Sequence, residues 1–150
     1  MPLNDDDRTP PKLRIQFLSD PLKVRESLER SRAQWSDWGY SGDFCGTAEI
    51  VLAEALNNVV EHAHARRDDG TGLLVNAPQN DGVRFEICDN GAPMPEGAVP
   101  TAKAANLNTE IDALPEGGFG WYLIHSLTQD LDYQRDEEWN CLSFRVPMQS

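Results

Sequence analysis

Leu13-Arg14-Ile15-Gln16-Phe17 alternates apolar and polar side chains, the period-two pattern of a strand with one buried face. Ser19-Asp20-Pro21 then offers an N-cap and a proline suited to a first helical turn, so a helix is expected from there to about Trp38. Gly39-Tyr40-Ser41-Gly42 breaks it. A second helix is expected from about Phe44 to His64, because Ala48, Val51, Leu52, Ala55, Leu56, Val59 and Ala63 fall along one arc at the helical period. Two strands around Gly72 to Ala77 and Val83 to Cys88, separated by the turn-prone Gln79-Asn80-Asp81-Gly82, read as a hairpin.

Between Asn90 and Gly117 the periodicity disappears. Pro93, Pro95, Pro100 and Pro115 punctuate this stretch, which is long for a structureless connection and has the character of a lid. A helix is expected from near Gly118 to about Leu131, then strands around Tyr133 to Arg135 and Cys141 to Val146. Hairpins with helices grouped between them predict an α+β two-layer sandwich: a mostly antiparallel mixed sheet covered on one face by helices, and not a Rossmann fold. Residues 1–12 are polar, acidic and proline-containing and read as a flexible N-terminal arm, leaving 13–150 as a single domain, the number that 150 residues suggests.

Composition narrows the classes. The formal charge of −12 disfavours nonspecific attraction to nucleic acid, although backbone N–H groups and a metal ion can still hold an anionic ligand. Cys45, Cys88 and Cys141 are odd in number, widely spaced and without a CxxC pair, so neither a disulfide framework nor a zinc site is expected, and reducing cytoplasm is the expected setting. No apolar run is long enough for a membrane span, and MPLNDDDRTPPK lacks the apolar stretch of a signal peptide.

Three local constellations could carry chemistry. Glu54, Asn58 and His62 recur every four residues along one edge of the apolar arc. An amide oxygen such as that of Asn58 is a hard ligand suited to Mg²⁺, and Glu54, one turn earlier, could take a proton from an attacking hydroxyl. Polar residues flanking a buried face explain the same pattern, and His62 is more simply a structural histidine.

Asp89-Asn90-Gly91 follows an apolar strand. An Asp there can accept a hydrogen bond from the exocyclic amine of adenine but would face an acceptor in guanine, although the tripeptide is also a common turn. Gly117-Gly118-Phe119-Gly120 places glycines at a helix start, where backbone N–H groups and the helix dipole favour phosphate. A glycine cluster alone is a weak signal.

Taken in order, Glu54-Ala55-Leu56-Asn57-Asn58, Asp89-Asn90-Gly91 and Gly117-Gly118-Phe119-Gly120-Trp121-Tyr122-Leu123-Ile124 resemble the GHKL (Bergerat-fold) ATPases, and among them the bacterial anti-sigma-factor serine kinases. The resemblance spans roughly Leu13 to Pro147 and includes Asp130-Leu131-Asp132-Tyr133 and Asn140-Cys141-Leu142-Ser143-Phe144. It implies that Glu54 is the general base, Asn58 the Mg²⁺ ligand and Asp89 the adenine-recognising carboxylate. Gly91 would let the backbone approach the base, Gly118-Phe119-Gly120 would lie beside the phosphates of ATP, and Ala92 to Gly117 would form the lid. Pro93 stands where the family's DxGxG pattern has its second glycine. For the terminal phosphate Lys103, Arg66 and Arg67 are candidates, solvated surface charge being the simpler reading of each.

The activity so implied is transfer of the ATP γ-phosphate to a serine of a small anti-sigma-factor antagonist protein, with a sigma factor or comparable effector as second partner and a homodimer as the assembly. A catalytically silent, ATP-gated protein-binding module is the alternative.

Overall fold

The computed structural model describes residues 12–18, 20–63, 70–94 and 118–148. Strand β1 (Leu13–Leu18) leads into helix α1 (Pro21–Asp37), with the Asp20 side chain accepting from the Leu22 N–H at its N-cap. Gly39, at φ 96°, takes the left-handed conformation after the helix, and the N–H of Tyr40 returns to the Trp35 carbonyl. Helix α2 (Gly42–Asn58) starts two residues earlier than expected, because Ser41 acts as a cap, its side chain accepting from the Phe44 N–H, and is not part of the break. After Asn58 the helix widens into a π-helical turn, Val59–Ala63, where a continued α-helix was expected.

β2 (Thr71–Gln79) and β3 (Gly82–Asp89) form the expected hairpin and are longer at both ends. Helix α3 (Gly118–Leu127) begins where expected but stops four residues early, and β4 (Gln129–Asp136) starts correspondingly sooner. Leu131 fits the helical period, yet Asp130 takes φ 59°, which no α-helix continues, and a register irregularity between Gln129 and Asp132 bends the new strand. β5 (Trp139–Pro147) closes the sheet.

The strand order is β1-β2-β3-β5-β4, and each of these pairings is antiparallel. Val83, Phe85 and Ile87 of β3 share one face with Leu142, Phe144 and Val146 of β5, and against that face lies the stripe Ala48, Val51, Leu52, Ala55 and Leu56 of α2. The other face carries half-buried and polar side chains. This is the two-layer arrangement the sequence predicts. Burying each such large aliphatic side chain contributes about 1.5–3 kcal/mol, so this seam is the main source of stability.

Trp35 is fully buried and fixes α1 to the sheet. Its indole N–H donates to Asn76 Oδ1 at 2.8 Å, while Asn76 Nδ2 donates to Ser31 Oγ at 3.2 Å, so every buried polar atom of this indole–amide pair is used in anchoring the helix. No helix among the described residues is long and apolar enough to cross a membrane.

One expectation is overturned. Cys88 and Cys141 are joined in a disulfide, directly opposite each other in the β3–β5 register with Cα atoms 4.1 Å apart. Their 53-residue separation hides the pairing from any local spacing rule; closing so long a loop restricts the unfolded chain by about 4 kcal/mol in the entropic account.

Candidate functional site

Strand alternation decides which side chains face the helices. Along β3, Val83, Phe85 and Ile87 point into the core, and the next residue on that face is Asp89, a carboxylate only 3% exposed. Opposite it in the register stands Asn140, the first buried residue of β5 and likewise 3% exposed. A buried carboxylate is costly unless it is hydrogen-bonded, and here Oδ1 accepts from the Gly91 N–H at 2.8 Å and from Asn140 Nδ2 at 3.0 Å. Asp89-Asn90-Gly91 is thus a tight turn as well as the seat of a buried acid. Asn90 continues the ladder, its Oδ1 accepting from the Thr71 N–H at 3.0 Å.

Asn140 is the hub of this corner. Its Nδ2 also lies 3.1 Å from the Gly91 and Ala92 carbonyls, while its Oδ1 accepts from the Tyr133 hydroxyl at 2.7 Å and from Arg135 at 2.9 Å. Arg135 donates to the Gly91 carbonyl as well, at 2.8 Å, and the Tyr133 hydroxyl accepts from the Met94 N–H at 2.8 Å. β4 and β5 therefore hold the chain from Asp89 to Met94 in one shape. Sequence reasoning assigned no role to Asn140, Tyr133 or Arg135. The one available signal was an Asn heading the otherwise apolar-alternating β5.

Asn58, the last α-helical residue of α2, lines the same cavity as Asp89, Met94, Tyr133, Asn140 and Leu142. It is 3% exposed, and its side-chain nitrogen is the sole buried side-chain polar atom among the described residues without a hydrogen-bond partner. Leaving such a group unmatched costs about 1–3 kcal/mol, and since the oxygen and nitrogen of an amide interchange by a flip, either end can be turned to a ligand. A single amide oxygen fits an ion such as Mg²⁺, which takes few protein ligands and fills its shell with phosphate oxygens and water.

Glu54, one turn before Asn58, is half-buried, and its carboxylate lies against Gly120 in the first turn of α3. A methyl group on Gly120 would overlap Glu54 Oε2 and push that carboxylate aside, so with glycine there the backbone of α3 lies directly against it. Gly118 begins α3 and Phe119 follows in the same turn. The backbone thus brings Glu54 to the glycine turn and Asn58 to the Asp89 corner, with α2 as the shared wall.

His62 falls in the π-helical turn. Arg66, Arg67 and Lys103 lie outside the described residues, as do residues 95–117 of the expected lid and residues 1–11 of the expected N-terminal arm.

Residues 17–146 match the family model described as a histidine kinase-like ATPase domain. The chain is 29% identical over 100 residues to the serine-protein kinase RsbW of Bacillus mycoides (strain KBAB4), a match covering 66% of this chain and 62% of that protein. The same values hold for the serine-protein kinase RsbW of Bacillus cereus (strain B4264). The match thus spans less than two thirds of the length of these relatives. A crystal structure of the RsbU and RsbW domains of a Mycobacterium tuberculosis protein superposes with a TM-score of 0.64 at 14% identity, covering 92% of this chain and 32% of that one, a likeness of fold.

Proposed function

Because this chain belongs to the histidine kinase-like ATPase domain family, we propose that it binds ATP with Mg²⁺ and transfers the γ-phosphate to a serine of a small antagonist protein, acting as an anti-sigma-type partner-switching regulator. The observation that carries this reading is the unmatched, buried amide of Asn58 in the same cavity as the buried carboxylate of Asp89. One group suits a metal–phosphate cluster and the other the amine edge of adenine, and both line one cavity.

Asp89 receives the exocyclic amine of adenine, held in place by Gly91 and Asn140, and disfavours guanine, whose carbonyl would meet a second acceptor. Asn58 offers its amide oxygen to Mg²⁺, which when bound offsets phosphate charge. The N–H groups at the start of α3, around Gly118, Phe119 and Gly120, face the phosphates. Glu54, held against that turn, accepts the proton of the attacking serine hydroxyl. Phosphoryl transfer requires mainly positioning and charge stabilisation, which this set supplies without a covalent protein nucleophile.

A sigma factor or comparable effector is the proposed second partner, released when unphosphorylated antagonist binds. The proposal includes a homodimer acting in the cytoplasm, with neither nucleic acid nor membrane as target; the relatives' description as serine-protein kinases supports the phosphoryl transfer.

Calorimetric titration with ATP and GTP, with and without Mg²⁺, tests the pocket. Binding that prefers ATP and strengthens with Mg²⁺ is expected; no binding by the folded protein overturns the reading. With an antagonist in hand, Glu54→Ala is expected to bind ATP but fail to phosphorylate. Normal transfer by that variant would remove Glu54 as the base, and absence of transfer by the unmodified protein would leave an ATP-gated binding module.

A further inference from the structure

The β3–β5 ladder ends at the pair Asp89 and Asn140, and the pair directly behind it is Cys88 and Cys141. The last pair of a ladder is where local opening starts, since it has a neighbour on one side only. Here that pair carries the buried carboxylate and the amide holding it, 3.0 Å apart. Alternation turns the two cysteines to the opposite face of the sheet, the one that no helix among the described residues covers, where both are half-buried. A reductant can therefore reach the sulfurs without entering the cavity. The disulfide also closes the loop of chain that contains α3 and its glycine turn.

We propose that Cys88–Cys141 is a reversible thiol–disulfide exchange site that fixes the Asp89–Asn140 corner when oxidised and lets it open when reduced, with a small or protein-borne dithiol as its reductant. The effect on nucleotide rests on the ATP reading above; the effect on the strand pair does not. In the exchange, one thiolate of the dithiol attacks Sγ of either cysteine and the other Sγ leaves as a thiolate. The second thiolate of the reductant then resolves the mixed disulfide. Two electrons and two protons pass to the cysteines, and the reductant ends as its own disulfide. Reduction removes the cross-link behind the terminal pair, so the conformation with Asn140 seated on Asp89 is populated for a smaller fraction of the time. Any ligand that requires it then binds more weakly by that fraction. Cys45 takes no part: it is buried in the core, and burial pushes its thiol above the ordinary range.

The test uses the full chain, oxidised with glutathione disulfide or reduced with dithiothreitol, then alkylated with iodoacetamide and weighed. The reduced protein is expected to gain two more labels than the oxidised one. Amide hydrogen exchange should become roughly tenfold faster at Gly91 and Asn140 on reduction, with the α2 core unchanged. ATP affinity, by calorimetry, should fall about threefold or more. The Cys88→Ser/Cys141→Ser double variant should match the reduced protein and ignore dithiothreitol. Two thiols that stay free after glutathione disulfide treatment would overturn the proposal, as would exchange at Gly91 and Asn140 unchanged by reduction. If neither form binds ATP, the nucleotide reading fails and the exchange comparison alone decides the cysteine pair.

Discussion

The two ends of the candidate site are built on different principles. At the Asp89 end, Asn140, Tyr133, Arg135 and the Gly91 N–H hold one another in a closed set of hydrogen bonds. At the Asn58 end a buried amide is left with an unmatched nitrogen, and Glu54 is placed by the contact with Gly120. The first end is preorganised, its shape already fixed by the protein alone. The second spends stability to keep a polar group available, so its geometry is completed by what binds there.

That contrast can be broken or sharpened by substitution. Asp89→Asn should have the largest effect: it replaces the acceptor for the adenine amine with an amide, and ATP affinity measured by calorimetry should fall roughly a hundredfold, about 3 kcal/mol. Retained affinity would show that the base sits elsewhere. Asn140→Ala strips donors from Asp89 Oδ1 and from the Gly91 and Ala92 carbonyls. Urea denaturation should record a loss of about 2 kcal/mol in the ligand-free protein, with ATP affinity falling in parallel. Tyr133→Phe removes one hydroxyl between the Met94 N–H and Asn140, and about 1 kcal/mol is expected by the same measurement. Asn58→Ala should cost the ligand-free fold least, within about 1 kcal/mol, because the amide it removes is incompletely paired. The same variant should abolish the gain in ATP affinity on adding Mg²⁺. A large stability loss there would mean that both ends are preorganised alike.

The sequence made the two ends legible to different degrees. Glu54 and Asn58 could be found because they are one turn apart on a helix whose apolar arc fixes its orientation, and Asp89 because a turn tripeptide follows an apolar strand. The partners that orient Asp89 could not: the contact with Asn140 joins residues 51 apart, and only the β3–β5 register brings them together. The same register pairs Cys88 with Cys141, which spacing alone argued against. The layer arrangement followed from local patterns, whereas the α3–β4 boundary did not, since Leu131 suits a helix and a strand equally and the backbone of Asp130 decides.

The π-helical turn after Asn58 has a consequence for insertions and deletions. A regular α-helix closes each backbone hydrogen bond four residues back, whereas a π-helical turn closes it five back. The turn Val59–Ala63 therefore holds slack in the chain that the regular helix up to Asn58 does not. A one-residue deletion within 59–63 would be absorbed by a return to the α-helical repeat, leaving Glu54 and Asn58 where they are. Chain length in this segment is therefore a variable in its own right, separate from which side chains it carries.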